Sequence, residues 1–523
     1  MLGATLLGAR ARLVRVETCF GRGLTQIVLS GQADAVAREA RERLPAALAA
    51  QGLALPTGRI LFNLVPAQIH KHGLPLDLAL AAALLIGDGQ WRRPSGPVLF
   101  LAELDLRGAL SPPARATLLA ALAAREEAEP PWVVTAPEAA REAALVPGLE
   151  VHACRDLGEV GALLALDEAT RAGLAVAAAD FADDEPRRGL RLDQVRDQSE
   201  ARHALVLAAL GGHPLWMEGP PGSGKSMLAA RLPGLLPPLD EATALELARV
   251  EALLGPVPRL PRRPPVRAPH PSASRQAVLG GGRPLRPGEL SRAHGGVLFL
   301  DELPEFPRAV LEGLRQPLEE GEVRVHRATD EARFPARVLL VAASNPCPCG
   351  WAGHPRIPCT CPPSRLERYR ARVSGPLRDR FDLHVVLGPV DPRRMDGPPS
   401  RPSDEEVAAR LEAARALQAH RRARGGFDRA GRADWDALLA AGVEGAARRL
   451  LRRSAERFGM SGRAILRTLR VARTQADWEG RARVAPEDVL TALGYRRPAT
   501  EGAATTPSSP SASVPRPHAR GAH

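Results

Sequence analysis

The stretch "GPPGSGKS", residues 219–226, combines glycines, a lysine and a serine at a spacing that can hold a polyphosphate. Glycines let the backbone N–H groups of a tight loop turn inward around phosphate oxygens, and a following helix N-terminus adds its positive end. Apolar "PLWM" before the loop predicts a strand, and "SMLAARL" after it predicts a helix, which is the context that this pattern requires. A chance match is the alternative. We therefore expect a nucleoside triphosphate to bind at Gly219, Pro220, Pro221, Gly222, Ser223, Gly224, Lys225 and Ser226.

The lysine of this loop is uncommon in a chain whose 71 basic residues include two lysines, Lys71 and Lys225. A lysine ammonium is a compact point charge that can reach terminal phosphates inside a narrow loop, whereas the planar guanidinium is wider. Geometry thus explains why a chain that otherwise uses arginine has lysine at 225. Lys71 has no such explanation, and we expect a surface residue there, with a phosphate contact as the alternative.

Two carboxylates follow the strand-like run "VLFL", at Asp301 and Glu302. We expect Ser226 and Asp301 to hold Mg²⁺, and Glu302 to orient and deprotonate the attacking water. The next strand-like run, "VLLVAAS", is followed by Asn345, which could contact the γ-phosphate or its water. The alternative for the carboxylates is an ordinary surface turn after a strand.

Four of the six cysteines lie close together, which favours a metal site in a reducing compartment over a disulfide framework. Four thiolates suit tetrahedral Zn²⁺, although C-x-C is tighter than the usual C-x-x-C knuckle. Free reduced thiols and a redox pair remain alternatives. A closed set of four ligands argues for structural rather than catalytic zinc, and Cys19 and Cys154 are expected to be isolated core residues. The clustered residues are Cys347, Cys349, Cys359 and Cys361.

The composition indicates a globular protein with an anionic partner. The formal net charge of +12 suggests nucleic acid, with a general drift toward arginine as the alternative. Aromatic residues are 3% of the chain, which leaves little for base-stacking platforms. No apolar run reaches the roughly 18 residues of a membrane span, and the N-terminus lacks the pattern of a signal peptide. We expect a cytoplasmic protein with no membrane partner.

The chain divides into an α/β unit at 1–170, a linker at 171–189, a second α/β unit at 190–394 and a linker at 395–402. A helical unit follows at 403–497, and a low-complexity tail at 498–523 is expected to be disordered. The first unit alternates strand-like runs such as "RILFNLV", "PVLFLAEL" and "PWVVTA" with Ala-Leu helical runs. In the second, "LEEGEVRVHRATDEARFPARV" alternates like a hairpin.

Several long motifs, in order, resemble the magnesium-chelatase-like AAA+ ATPases of the ComM/YifB family: "GPPGSGKS", "GVLFLDELPEF", "LEGLRQPLEEG", "ASNPCPCG" and "SGPLRDRFDL". The resemblance implies an α/β multidomain fold. Its parts are an N-terminal domain like the Lon proteolytic domain (ribosomal S5 type), an AAA+ P-loop core with a helix-2 insertion, and an all-α C-terminal lid. ATP and Mg²⁺ are the implied cofactors. The likeness to Lon brings no protease, because the nucleophile would fall near Pro75 and no serine is there.

The resemblance also assigns roles to two arginines. Arg380 matches an arginine finger, supplied to a neighbouring subunit, with an ion pair to Asp379 or Asp382 as the alternative. Arg463 matches the second sensor of the lid. In the same helix, we expect Arg467 and Arg470 to form a solvated face. Pro271 in "RAPHPSAS" stands where the family often has a second histidine, so this chain departs from the family pattern there and no role is assigned to a histidine pair.

Contacts to DNA would come from two elements of the second unit. The Gly-rich basic stretch 267–291, with Arg275, Arg283 and Arg286, resembles the helix-2 insertion that projects into the ring's pore. The hairpin carries Arg324, His326 and Arg327 near its tip. Arginines lining a pore would follow the phosphate backbone without reading bases. Packing between subunits is the alternative for each.

The resemblance implies a homo-oligomeric ring, expected to be a hexamer, that acts on single-stranded or branched DNA. One member of the family is a DNA helicase that drives branch migration during natural transformation, and the resemblance implies the same reaction here, in recombination or natural transformation. Two other functions remain open: an AAA+ factor that remodels proteins, and an ATPase subunit of a metal chelatase. A fused Lon-like domain is not expected in the last.

Overall fold

The computed structural model describes residues 1–31, 35–69, 71, 73–177, 192–282, 285–326, 331–390, 402–427 and 429–496. Most of both predicted linkers and the whole predicted tail lie outside this part of the chain. The domain boundaries given above therefore stay predictions. Within the described residues, no helix is long and apolar enough to cross a bilayer.

A seven-stranded mixed sheet organises the N-terminal part, in the order Gln26–Ser30, Arg59–Val65, Arg10–Gly21, Leu2–Leu7, Val98–Leu101, Trp132–Thr135 and Val151–Ala153. The strands expected from "RILFNLV", "PVLFLAEL" and "PWVVTA" are confirmed, the second in two pieces because Glu103–Leu104 pairs separately with Leu110–Ser111. Strands buried on both faces are continuous apolar runs, as parallel neighbours covered by helices require. The helices here are Ala35–Ala50, Asp77–Gly87, Thr117–Arg125, Pro137–Ala143, Leu157–Ala165 and Glu168–Ala172.

A five-stranded parallel sheet forms the second unit, in the order Val266–Arg267, Val297–Leu300, Leu339–Ser344, Leu215–Glu218 and Leu383–Val386. Glu218 pairs with Ser344, and Leu300 with Ala342, so the carboxyl ends of three strands meet at one edge. A mixed α/β fold with a parallel sheet is thus confirmed. Its helices are Ser199–Gly211, Lys225–Ala229, Leu232–Leu235, Glu241–Ala252, Arg275–Leu279, Glu289–Arg292, Arg308–Gly313, Arg315–Glu320, Pro363–Ala371 and Gly375–Arg378, with 3-10 turns at Leu192–Gln194 and Leu303–Glu305.

The helix after the phosphate loop is shorter than "SMLAARL" predicts. It ends at Ala229, and a separate turn of helix begins at Leu232. Pro233 explains the break, because it has no N–H to donate to the carbonyl oxygen of Ala229.

Two antiparallel strand pairs also belong to this unit. Glu322–His326 pairs antiparallel with Glu331–Pro335, which confirms the predicted hairpin, although its tip lies outside the described residues. Gly280–Gly281 pairs with Arg286–Pro287 inside the basic stretch 267–291, and this pair packs beside the larger hairpin.

The described residues from 402 to 496 form helices Asp404–Ala423, Trp435–Ala440, Gly445–Phe458, Gly462–Trp478 and Pro486–Gly494, with a 3-10 turn at Ala430–Arg432. Ser403 begins the first with a capping box formed with Glu406. Asp477 is buried and accepts hydrogen bonds from Arg473 of its own helix and from Arg421 of helix Asp404–Ala423, and the Arg421 bond joins these two helices.

Shared apolar cores join the three parts. One cluster contains Ala120 and Leu122 of the N-terminal part together with Ala248 and Ala252 of the second unit. The amide of Ala116 also donates to the carbonyl of Ala252 at 2.8 Å. A second cluster joins the parallel sheet to the C-terminal helices. The parallel sheet contributes to both clusters, with Leu300 and Ala342 in the first and Met217 and Ala343 in the second.

Lys71 is not the surface residue that the sequence suggested. Its side chain is 1% exposed, and its ammonium donates to the carbonyl oxygens of Gly31 at 2.6 Å and Pro66 at 2.5 Å. Burial lowers the pKa of Lys71. The residue holds two loops of the N-terminal part together, because a buried ammonium needs acceptors in place of water.

Lys71→Met should destabilise the N-terminal part by roughly 1–3 kcal/mol, because the carbonyl oxygens of Gly31 and Pro66 lose a charged donor. Thermal unfolding followed by circular dichroism would report this as a lower midpoint. The matched control is Arg12→Met on the exposed side of the sheet, which should leave the midpoint unchanged. An unchanged midpoint in Lys71→Met would contradict the structural role.

Candidate nucleotide site

The phosphate loop depends on three glycines for different reasons. Gly222 and Gly224 have φ of 75° and 90°, in the region where side chains are strained. Gly219 has no room for a side chain, since a Cβ there would lie 2.8 Å from the carbonyl oxygen of Leu387 and from Oγ of Ser223. The loop therefore follows the strand Leu215–Glu218 in one allowed path, with its backbone close to whatever it binds.

The Lys225 ammonium lies at the centre of this edge. It donates to the carbonyl oxygens of Gly219 at 2.7 Å and Pro220 at 2.9 Å, and to Oδ1 of Asn345 at 3.2 Å. Burial lowers the pKa of Lys225, and the nearby carboxylates of Asp301, Glu302 and Glu218 oppose that effect. One cation thus connects the phosphate loop to the end of the neighbouring strand.

The three residues expected to handle metal and water are also together. Ser226 Oγ donates to Oδ2 of Asp301 at 2.8 Å, and the amide of Glu302 donates to Oδ1 of Asp301 at 3.0 Å. Glu302 is exposed and has φ of 52°, a conformation that non-glycine residues adopt rarely and that is common at functional sites. A hydroxyl and a carboxylate oxygen in contact are hard ligands that suit Mg²⁺.

Asn345 is positioned by its neighbours as well as by its strand. The hydroxyl of Tyr369 donates to its carbonyl oxygen at 3.3 Å, and Nε1 of Trp216 donates to Oγ of Ser344 at 2.8 Å. The Trp216 bond ties the strand that precedes the phosphate loop to the strand that precedes Asn345.

Arg380 and Arg463 do not join this group; they line a separate cavity of about 510 Å³. Arg380 forms an ion pair with Glu319 at 2.8 Å, and its hydrogen bond lowers the pKa of Glu319. The expected alternative partners, Asp379 and Asp382, are not the ones bonded. Arg463 lies exposed in the first turn of helix Gly462–Trp478, which Ser461 caps.

The expectation that Arg467 and Arg470 form a solvated face is wrong. Arg467 is 7% exposed and lies 3.9 Å from Asp379, and Arg470 donates to the carbonyl oxygen of Ala433 at 2.7 Å. Both line the same cavity as Arg380 and Arg463, so this face of the helix packs inward. Nη1 of Arg467 is buried without a hydrogen-bond acceptor among the described residues.

The cysteine cluster lies beside the phosphate loop. The four Sγ atoms of Cys347, Cys349, Cys359 and Cys361 all fall within 4.8 Å of one another, and none is in a disulfide. Backbone N–H groups, first that of Trp351, lower the pKa of Cys349 to about 5. Cys154 is buried as expected, whereas Cys19 is exposed, which corrects the prediction of a core residue.

Of the residues expected to contact DNA, Arg275 and Arg286 are exposed, and no ion pair joins them to an acidic side chain in the described ranges. Arg324 instead pairs with Glu322 at 2.6 Å and Glu320 at 3.4 Å. Arg283 and Arg327 lie outside the described residues, as does the side chain of His326.

Sequence reasoning missed Glu319, Tyr369 and the burial of Arg467. Glu319 lies in the quoted motif "LEGLRQPLEEG", but its partner is 61 residues away and no local pattern indicates the pair. For Arg467, the nearby apolar residues Leu466 and Leu469 of helix Gly462–Trp478 were the available signal that this part of the helix is buried.

Comparison with known families gives three consecutive matches. The profile described as "Magnesium chelatase, subunit ChlI" matches residues 191–395, "Subunit ChlI of Mg-chelatase" matches 16–137, and "Magnesium chelatase, subunit ChlI C-terminal" matches 401–496.

Full-length relatives are also found. Competence protein ComM of Haemophilus influenzae is 35% identical over 94% of this chain and 96% of its own length. YifB of Escherichia coli, an uncharacterized protein, is 34% identical over 94% and 95%. An uncharacterized protein of Mycobacterium tuberculosis is 39% identical over 94% and 97%.

Lys225→Arg should weaken binding of a fluorescent adenine nucleotide by roughly 10–100-fold, the value of a charged hydrogen bond. The guanidinium fork is too wide for the space between the carbonyls of Gly219 and Pro220. Equilibrium titration measures the dissociation constant, and exposed Arg259→Lys serves as the control with unchanged affinity. Equal affinity of Lys225→Arg and the unmodified chain would show that the ammonium does not bind phosphate.

Proposed function

We propose, from the premise that this chain belongs to the magnesium-chelatase-like AAA+ family of ComM and YifB, that it is an ATP-driven ring motor acting on DNA. The observation that carries the proposal is the single edge where Lys225, Ser226, Asp301 and Asn345 meet. That arrangement can hold a triphosphate and Mg²⁺, so ATP and Mg²⁺ are the proposed cofactors.

Each proposed role follows from a contact. The ammonium of Lys225 would exchange its carbonyl acceptors for phosphate oxygens, and Ser226 with Asp301 would hold Mg²⁺ against those phosphates. Glu302, exposed next to Asp301, would accept the proton of the attacking water. Asn345, hydrogen-bonded to Lys225, would hold that water or the γ-phosphate in line.

The arginine cavity supports catalysis between subunits. Arg380 and Arg463 share a cavity whose lining includes Arg467 and Arg470, a cationic surface that suits the triphosphate of a neighbouring protomer. Glu319 would hold Arg380 extended until that neighbour docks. A homo-oligomeric ring, expected to be a hexamer, completes each site, because one chain supplies the phosphate loop and the next supplies the arginines.

A DNA partner is supported by the charge of the chain and by its resemblance to competence protein ComM. The net charge is +12, and two exposed arginines lie in the basic stretch 267–291. Arg275 is on helix Arg275–Leu279, and Arg286 is on the strand that pairs with Gly280–Gly281, which packs beside Glu322–His326. These arginines would contact phosphates of single-stranded or branched DNA without reading bases. A helicase that moves branch points in recombination is the specific activity proposed.

Glu302→Gln and Arg380→Ala should each abolish most ATP turnover while retaining ATP binding. Glu302→Gln removes the group that accepts the proton of the attacking water, and an arginine finger is worth about 10³–10⁵ in rate. An equal mixture of the two variants should regain activity. About a quarter of the interfaces in a random ring would then pair an intact loop with an intact arginine. Phosphate release measures turnover.

Arg463→Ala mixed with Glu302→Gln should also regain activity if Arg463 acts across the interface with Arg380. Exposed Arg365→Ala is the control and should keep full turnover alone. A Glu302→Gln and Arg380→Ala mixture that assembles but stays inactive would contradict catalysis between subunits. An inactive Arg463→Ala mixture would instead place Arg463 in the subunit that holds the nucleotide.

Forked DNA should raise the steady-state ATP turnover several-fold, and higher salt should reduce this effect because phosphate contacts release counterions. Arg275→Ala combined with Arg286→Ala should reduce the stimulation, whereas exposed Arg259→Ala should not. Turnover that responds to protein clients but not to DNA would support protein remodelling instead. A response to a porphyrin and Mg²⁺ would support a chelatase subunit.

A further inference from the structure

The four clustered sulfurs already stand at metal-binding spacing. Cys347 Sγ lies 3.3 Å from that of Cys349 and 3.6 Å from that of Cys359, and the Cys349 and Cys359 sulfurs are 3.5 Å apart. Tetrahedral zinc with Zn–S bonds of about 2.3 Å requires sulfurs about 3.8 Å apart. Backbone support is present too, since the amide of Ala352 donates to Cys347 Sγ at 3.2 Å, as outer-shell groups do around bound thiolates.

The loop that carries these cysteines touches the phosphate loop directly. Gly350 follows Cys349 at once and has φ of 85°. A Cβ at Gly350 would lie 2.6 Å from Cδ of Pro221 and 2.8 Å from its Cγ, so the Gly350 backbone rests against the exposed shoulder of the nucleotide site. The amide of Gly350 donates to the carbonyl of Cys347 at 2.9 Å, which places the contact inside the cysteine turn itself.

The two ends of the cysteine loop are also tied to the nucleotide site. Asn345, two residues before Cys347, accepts a hydrogen bond from Lys225 at 3.2 Å. Tyr369, in helix Pro363–Ala371 after the last cysteine, donates to the carbonyl oxygen of Asn345 at 3.3 Å. The segment that carries the cysteines therefore starts at Asn345 and returns to it through the hydrogen bond from Tyr369. Between these two points, Gly350 contacts Pro221.

We propose that Cys347, Cys349, Cys359 and Cys361 bind one Zn²⁺ and that this metal clamps the loop against Pro221 and Asn345, so that nucleotide affinity depends on zinc. Without the metal, only weak contacts between thiols hold the loop between Cys349 and Cys359. Any thiolates in the cluster then lack a cation and repel one another. With it, four bonds fix the loop, because a structural zinc contributes its binding energy to folding. The zinc takes no part in hydrolysis.

The metal site is tested on the full chain by its metal content. We expect one zinc per chain by elemental analysis, and protein produced with Co²⁺ should show the thiolate charge-transfer and tetrahedral ligand-field absorption of a four-sulfur site. Cys359→Ser with Cys361→Ser, both outside the core, should reduce zinc at least tenfold, whereas Cys19→Ser should retain it. Absence of bound metal from the unmodified chain, or a cobalt spectrum without thiolate bands, would overturn the proposal.

The clamp is tested separately by nucleotide titration. The double serine variant should bind fluorescent ATP at least tenfold more weakly than the unmodified chain, and Cys19→Ser should bind it normally. Gly350→Ala should retain its zinc yet also lose affinity, because the added Cβ pushes on Pro221. This second variant keeps the test decisive if the serine variant loses its fold by circular dichroism.

The clamp rests on the proposed nucleotide site, and its failure is distinguishable from failure of that site. Unmodified chain that binds no nucleotide would refute the ATPase proposal, and metal content would still report on the zinc. If the unmodified chain binds nucleotide and the zinc-depleted double serine variant binds it equally well, the clamp alone is overturned.

Discussion

The nucleotide site depends on the parallel register of three strands. Because Glu218 pairs with Ser344 and Leu300 with Ala342, the loops that follow these strands leave the sheet at one edge. Lys225 can then reach the carbonyls of its own loop and the side chain of Asn345, 120 residues later, with one ammonium group. A shift of one residue in any pairing would turn the alternate side chains to the opposite face and separate these groups.

A lysine in this place carries a cost that the surroundings offset. Burial lowers the pKa of Lys225, and the three nearby carboxylates of Asp301, Glu302 and Glu218 oppose that effect. In the N-terminal part, the Lys71 ammonium has carbonyl acceptors in place of carboxylates, and burial lowers its pKa. The two lysines of this arginine-rich chain are both buried and bound to backbone carbonyls, positions in which a compact ammonium with three rotatable donors fits better than a planar fork.

The structure separates two kinds of arginine. Arg275, on helix Arg275–Leu279, and Arg286, on strand Arg286–Pro287, are exposed. The other kind lines one cavity between the second unit and the C-terminal helices, namely Arg380, Arg463, Arg467 and Arg470. Within the cavity, Glu319 and Asp379 neutralise part of the charge and hold the side chains apart. The cysteine loop contacts the nucleotide site from another direction. It touches the phosphate loop at Pro221, and the helix that follows it touches the strand end at Asn345.

The sequence by itself determined the features that consecutive residues encode. These are the strand–loop–helix of the phosphate site, the strand that ends in Asp301 and Glu302, the hairpin at 322–335, and a cysteine spacing that suits a metal. Such features follow from backbone geometry over a few residues, so glycine placement and apolar runs suffice to predict them. Packing decided the rest: that Glu319 rather than Asp379 or Asp382 binds Arg380, that Arg467 and Lys71 are buried and Cys19 exposed, and that Gly350 rests on Pro221. These contacts join residues tens to more than a hundred positions apart, and no local pattern specifies which distant surfaces meet when the cores close.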